Sequence, residues 1–250
     1  MNYQIIKKIN SGTFGIVYKV IYKEKIYALK KVTNIKVNNE VYILNNLKNN
    51  PYISEIVDVD RDEEYTYILL NYYKNGDLNN LSLTDKIFSD KDVSKIAKQM
   101  LNALAFCNLN NIAMCDVKPS NILIDDEFNY KLCDFGSSQF SKNPYEGLVK
   151  IKGTPVFIAP EILNRNYGYA CDIYSLGITL YYLLTKEYPF NNDILLNSNR
   201  ILLAIYNNDL IYNKDLLSKT SYDFIKNLVL YDKYKRFTIE EALDHPFITK

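Results

Sequence analysis

The 250-residue chain has no tryptophan and one histidine, His245, and its four cysteines never form a C-x-x-C pair. A structural zinc site needs four closely spaced thiolate or imidazole ligands, so Cys107, Cys115, Cys133 and Cys171 read instead as free thiols of a reducing compartment. Net charge is also missing. Thirty basic against 29 acidic residues leave +1, no field to draw in nucleic acid or a membrane surface as the main partner. Basic pairs such as Lys7-Lys8 and Lys30-Lys31 are too short to alter that. The start, Met1-Asn2-Tyr3-Gln4-Ile5-Ile6-Lys7-Lys8, lacks the long apolar run and small-residue cleavage site of a secretory signal. The longest apolar-rich run, residues 173–184, is interrupted by Ser175, Gly177 and Thr179 and is too short to cross a bilayer. These absences predict a cytoplasmic or nuclear protein that neither nucleic acid nor membrane recruits. Oligomeric state is not legible, and a monomer is compatible with everything read.

What is there is an ordinary globular composition, 48% hydrophobic and 24% charged, over a length that holds one large domain or two lobes. The first third alternates as strands do. Residues 3–9 and 15–22 flank a Gly-bearing turn, and residues 25–32 follow the polar turn Lys23-Glu24. Val37, Val41, Leu44 and Leu47, at steps of four, three and three, predict a helix. Residues 56–59 and 65–70 add two strands. After Asn75-Gly76-Asp77 the pattern turns helical. Ser89 and Asp92 make a helix start, followed by the core-facing stripe Val93, Ile96, Ala97, Met100, Leu101, Leu104 and Cys107. Helical patterns recur over residues 173–184, 194–206, 222–230 and 239–243. The expected fold is α+β: a small β-sheet lobe with one helix, joined at Asn71, Tyr72 and Tyr73 to a larger, mainly helical lobe.

Three segments carry chemistry. Asn10-Ser11-Gly12-Thr13-Phe14-Gly15-Ile16-Val17 lies between two predicted strands, where a hairpin can aim backbone N–H groups at phosphate oxygens. Two glycines alone are more often just a turn. Tyr27-Ala28-Leu29-Lys30 supplies context, because an alternating strand sets its lysine on the face that hairpin would cover. The decisive cluster is Asp116-Val117-Lys118-Pro119-Ser120-Asn121, then Ile122-Leu123-Ile124, then Cys133-Asp134-Phe135-Gly136. Phosphoryl transfer needs a carboxylate at the attacking hydroxyl, with a second carboxylate and an amide oxygen to hold magnesium. Asp116, Asp134 and Asn121 form that set.

In this order the motifs resemble the eukaryotic protein kinase family over nearly the whole chain, with Ala159-Pro160-Glu161, Asp172-Ile173-Tyr174-Ser175-Leu176-Gly177 and Arg236 following. The resemblance implies a bilobal protein kinase fold across residues 1–250, with a small antiparallel sheet lobe in 1–71 and the hinge and helical lobe in 72–250. It implies ATP in the cleft under the Gly-rich loop, Lys30 on the α- and β-phosphates and paired with Glu40, and magnesium on Asn121 and Asp134. Ala28, Val17, Leu123 and Cys133 would surround the nucleotide. Leu70 would be the gatekeeper, Asn71 to Tyr73 the hinge at adenine, and Asp77 the ribose contact. Lys118, two residues after Asp116, resembles the serine/threonine pattern in which an ammonium bridges the transferring phosphate and a threonine hydroxyl, here Thr154 in Gly153-Thr154-Pro155. Ala159-Pro160-Glu161 implies protein substrates, and Glu161 with Arg236 implies a buried structural ion pair. The expected activity is ATP-dependent phosphorylation of protein serine or threonine. The alternative is a pseudokinase serving as a nucleotide-binding scaffold.

The chain departs from the family pattern at several places. Met114-Cys115 stands where His-Arg is usual. Methionine can fill the histidine's apolar volume beside Leu44, Ile56 and Phe135, but Cys115 cannot pair with a phosphate on the activation loop. Phosphorylation of Ser137, Ser138, Ser141 or Tyr145 is therefore not expected to be the main on-switch. Asn10 replaces a glycine, a position where a tolerance for left-handed backbone is expected to serve. Lys30 and Glu40 are only ten positions apart, so the helix is expected to start late. Tyr174 and Phe157 are aromatic exchanges. Cys133 reads as a small buried residue or as a thiol open to electrophiles in the cleft, and His245 as packing.

Overall fold

The computed structural model describes residues 1–12, 15–35, 39–84 and 88–250. Thr13 and Phe14 of the Gly-bearing turn and Val37 of the expected helix lie outside these described residues.

The amino-terminal part is a five-stranded antiparallel sheet with one helix. Its elements are β1 (Gln4–Gly12), β2 (Gly15–Tyr22), β3 (Lys25–Thr33), α1 (Glu40–Asn46), β4 (Ile56–Arg61) and β5 (Tyr65–Asn71), and the strand order is β1-β2-β3-β5-β4. Lys23 and Glu24 both take positive φ, 48° and 63°. That is the left-handed pair a two-residue hairpin requires to match strand twist. Register then sets the faces. Val17 opposes Lys30 and Ala28 opposes Leu70, so these four share the inner side. Leu29, between Ala28 and Lys30, packs outward with Val20 and Leu69 in a small cluster rimmed by tyrosines. Helix α1 has no side-chain cap and is held by its buried face, Ile43 and Leu44, with Leu47 just beyond.

The larger part begins with α2 (Leu78–Ser82) and α3 (Asp90–Leu109). Ser89 and Asp92 form a full capping box on α3, and the predicted stripe from Val93 to Cys107 is its buried face. Four short strands follow, β6 (Ile112–Ala113), β7 (Ile122–Ile124), β8 (Tyr130–Leu132) and β9 (Gln139–Phe140), paired as β6 with β9 and β7 with β8. The remaining helices are α4 (Pro160–Leu163), α5 (Cys171–Thr185), α6 (Ser198–Asn207), α7 (Lys219–Leu228), α8 (Ile239–Asp244) and α9 (Pro246–Thr249). Helix α5 holds the apolar-rich run and is buried along its whole length except Leu184. A Cβ on Gly177 would stand 2.5 Å from Val229 and 2.9 Å from Leu228, so glycine lets α5 and the end of α7 touch.

Several helix starts differ from the apolar pattern: α5 begins at Cys171 and α7 at Lys219, ahead of the expected 173 and 222, with Ser218 capping α7 by accepting from the Ser221 N–H. Helix α6 begins at Ser198, not 194, because Asn197 accepts hydrogen bonds from the backbone of Asn199 and Arg200 and sets the start. Leu196 before it is exposed. Helix α1 starts at Glu40, which puts this carboxylate in the first turn.

Arg236 closes the large core. Its guanidinium donates to both carboxylate oxygens of Glu161 at 2.6 and 3.0 Å, to the carbonyls of Leu230 and Ala170, and lies over the Tyr174 ring. Removing one member of a buried pair leaves an uncompensated charge, at a cost of about 3–5 kcal/mol. Arg236→Leu is accordingly expected to lower the urea midpoint by that much stability. A midpoint shift worth under about 1 kcal/mol would show the pair to be dispensable.

Candidate active site

The segment between β6 and β7 is anchored from beneath by α5. Asp172 accepts the backbone N–H groups of Met114 and Cys115 at 2.8 and 2.7 Å, which fixes a stretch where Cys115 has φ of 63°. Burial pushes the Asp172 carboxyl up to about 7, against the opposing pull of those two N–H donors. Cys171 sits beside them, its thiol pushed well up by a hydrogen bond with Cys115 and by burial. Met114 is fully buried in the same core cluster as Leu44, Ile56 and Phe135.

Beyond this anchor three side chains close a triangle. Asp116 accepts from the Thr154 hydroxyl at 2.8 Å and pairs with Lys118 Nζ at 2.8 Å, while Lys118 Nζ donates to Thr154 at 2.7 Å. Asn121 Nδ2 donates to the Asp116 carbonyl at 2.9 Å. Gly153 makes this approach possible: its φ is 104°, and a Cβ there would lie 2.7 Å from the Cys115 carbonyl oxygen.

A second cluster spans the two parts of the molecule. Lys30 Nζ donates to both oxygens of Glu40, at 2.6 and 2.8 Å, and to Asp134 Oδ1 at 2.7 Å. Burial alone depresses the Lys30 ammonium, but the two carboxylates outweigh it and its pKa is raised. Burial raises Glu40 despite Lys30. Asp134 is pushed up by burial and pulled down further by Lys30 and the Gly136 N–H, for a net lowering.

The two clusters line adjoining cavities. One, of about 220 Å³, takes Asn10, Val17, Ala28 and Leu70 from the sheet, Asn71, Tyr73 and Asp77 from the connection, and Leu123, Cys133 and Asp134 from below. The other, of about 520 Å³, lies between Ser11, Gly12 and Gly15 on one side and Asp116, Lys118, Asn121 and Thr154 on the other. Lys30, Asn121 and Asp134 line both. Gly15 has φ of 122° and leaves no room for a Cβ beside the Lys31 carbonyl.

Several residues differ in detail from expectation. Asn10 is ordinary strand paired with Val17, and its amide accepts from Ser11 N–H at 2.7 Å, so the left-handed freedom expected of it is not used. Asp77 lines the cleft but also caps α2, accepting from Asn80 N–H at 2.8 Å. Burial, then the charge of Asp134, pushes the Cys133 thiol well up, which disfavours the thiolate an electrophile requires. Ser137, Ser138 and Ser141 are buried. Ser54, Ile151 and Lys152 line the cavities without having been predicted. Lys150-Ile151-Lys152 ahead of Gly153-Thr154 was a readable signal for the last two, whereas nothing around Ser54 marks it.

Sequence comparison agrees with this geometry. The family described as protein kinase domain matches residues 3–248, and the chain belongs to that family. It is similar to serine/threonine-protein kinase 17A of Oryctolagus cuniculus, 30% identical across 98% of this chain and 65% of the relative. It is also similar to calcium-dependent protein kinase 6 of Plasmodium berghei (strain Anka), 35% identical across 98% of this chain and 17% of the relative. A third, calcium-dependent protein kinase 29 of Arabidopsis thaliana, is 30% identical across 99% of this chain and 49% of the relative. The chain thus spans 65% or less of the length of these relatives.

The Lys30 cluster has a signed pH consequence. Lys30→Met leaves Glu40 facing Asp134 with no cation between them, which raises the Glu40 pKa further above its unfolded value. A carboxyl raised in the folded state loses stability as pH climbs from the unfolded value through the folded one. The variant's loss of melting temperature relative to native is therefore expected to be larger at about pH 8 than at about pH 5. An equal loss at both would show that Lys30 is not the counter-charge of Glu40.

Proposed function

We propose that the chain transfers the γ-phosphate of magnesium-ATP to serine or threonine hydroxyls of proteins, with residues 1–71 and 72–250 acting as two lobes around the nucleotide. The observation that carries this reading is the Asp116–Lys118–Thr154 triangle opening into the same cavity as Lys30 and Asp134. A magnesium ion fits the donor chemistry. Asp134 offers carboxylate oxygen, and Asn121, whose Nδ2 is committed to the Asp116 carbonyl, offers its amide oxygen to a hard cation. When bound, that ion supplies neutralisation of phosphate charge.

The residues then divide the work. The carboxylate of Asp116, which holds the Thr154 hydroxyl at 2.8 Å, receives and orients the acceptor hydroxyl and takes its proton. Lys118 offsets charge on the transferring phosphoryl group, and Lys30 fixes the α- and β-phosphates from a position set by Glu40. Val17, Ala28, Leu70 and Leu123 exclude water around the base, the backbone of Asn71 to Tyr73 meets adenine, and Asp77 meets the ribose. The names of the relatives, all serine/threonine or calcium-dependent protein kinases, support the same substrate class.

In a labelled-phosphate transfer assay on a generic basic protein, Asp116→Asn is expected to lose on the order of 10²-fold or more in kcat. Labelling equal to that of the native chain would refute the mechanism and favour the scaffold reading. A second expectation follows from Cys115 and the burial of Ser137, Ser138 and Ser141. Protein purified free of phosphate should already transfer at its full rate, and activity that appears only after one of these serines or Tyr145 is phosphorylated would overturn this.

A further inference from the structure

Thr154 reaches Asp116 at the end of a segment, residues 143–153, whose last part walls the phosphoryl-transfer cavity through Ile151 and Lys152. The backbone of this segment is zipped to residues 166–170. Ala170 N–H donates to the Pro144 carbonyl at 2.8 Å, and Leu148 exchanges backbone hydrogen bonds with Tyr167 at 2.8 and 3.2 Å. Gly168 makes room for this approach, since a Cβ there would stand 2.0 Å from the Asn143 carbonyl oxygen. Lys233 Nζ spans both runs and donates to the carbonyls of Tyr145 and Asn166 at 2.5 and 3.0 Å.

Past Leu148 a side chain continues the zipper. Tyr167 is fully buried, and its hydroxyl donates to the Lys150 carbonyl and accepts from Gln139 Nε2 at 2.7 Å. Gln139 lies on β9 opposite Ala113 of β6, and the same Nε2 stands 3.7 Å from the Cys115 sulfur. The Cys115 carbonyl meets Gly153. These contacts close a ring that runs from Lys150 along the chain to Gly153, across to Cys115, then through Gln139 and Tyr167 back to Lys150. Asp116 and Thr154 are the residues that follow Cys115 and Gly153. Burial, then Cys115 and Cys171, push the Tyr167 phenol up, so it keeps its proton. A hydroxyl has one proton to give. The Gln139 amide donates and leaves that proton to Lys150, whereas a carboxylate at the same place would take it.

Resting on the transferase reading above, we infer that Tyr167 and Gln139 are positioning residues for the transfer, holding the backbone that brings Thr154 to Asp116 with groups the unmodified chain already carries. Neither side chain lines the two adjoining cavities, so their action reaches the reaction through Gly153 and Thr154. It falls on the acceptor side of the site. A break in the ring loosens Gly153 and Thr154 and leaves the contacts of Lys30 with Glu40 and Asp134 in place.

The test compares the native chain with Tyr167→Phe, Gln139→Glu and Gln139→Leu, each assayed below the onset of its own melt. Tyr167→Phe deletes the proton, Gln139→Glu keeps the shape and claims the proton, and Gln139→Leu changes the shape but leaves the proton to Lys150. The first two are expected to lower kcat/KM for a protein acceptor by on the order of 10-fold, the effect of leaving one buried partner unpaired, and Gln139→Leu by about 3-fold or less. The Kd for ATP, from nucleotide titration, should stay within about 2-fold of native in all three. Amide hydrogen exchange reads the segment without catalysis: residues 148–154 should exchange about 10-fold faster in Tyr167→Phe, with α5 unchanged. Native kcat/KM in Tyr167→Phe, or a loss in Gln139→Leu equal to that in Gln139→Glu, would overturn the inference. So would ATP affinity falling in step with activity, native exchange over 148–154, or faster exchange of α5 together with the segment, which marks a general loss of stability. If the native chain transfers nothing, the transferase reading fails, and the exchange measurement still decides whether Tyr167 holds the segment.

Discussion

The carboxylate of Asp172 is where the helical core takes hold of the active site. It sits on the most enclosed helix of the molecule and accepts two consecutive backbone N–H groups, those of Met114 and Cys115. The segment it holds carries a left-handed residue at Cys115, a conformation that costs about 1–2 kcal/mol outside glycine. Fixing that backbone sets the direction in which Asp116 leaves it. The Cys115 carbonyl in turn meets Gly153, so the same anchor determines where Thr154 and the wall before it stand.

The second constraint is electrostatic and joins the sheet to the helices. Lys30 reaches Glu40 within the amino-terminal part and Asp134 across the cleft. One buried cation facing two carboxylates offsets only one of them, so the ionised cluster places an excess of negative charge on the wall of the cleft. The short connection from β3 to α1 accommodates this because the helix begins at Glu40 itself, where the first turn is already in reach of the β3 lysine.

The replacement of His-Arg by Met114-Cys115 leaves the geometry around Asp116 closed. Met114 is fully buried in the same core as Leu44, Ile56 and Phe135, and Ser138 donates to its carbonyl at 3.2 Å. The Asp116 triangle is closed with no arginine at position 115. A phosphate-organised activation loop needs a cation at that point; a buried thiol beside Cys171 supplies none.

Sequence alone determined what depends on neighbours along the chain. Alternation marked the five strands, Lys23-Glu24 the tight hairpin, Ser89 and Asp92 the capped start of α3, and the ordered motifs marked the reacting groups, because propensity, capping and spacing are local properties. Apolar periodicity overran the start of α6 at Asn197, since a cap outweighs a pattern. Tertiary structure decided the rest: that Asp77 caps a helix while lining the cleft, that Asn10 needs no special backbone, that the Cys133 thiol has its pKa pushed up although it lines the cleft, and that Lys152 borders the cavity of Asp116. The physical reason is distance along the chain. Lys30 meets Asp134 across 104 positions and Met114 meets Asp172 across 58, and only packing of the whole core brings such groups within hydrogen-bonding reach.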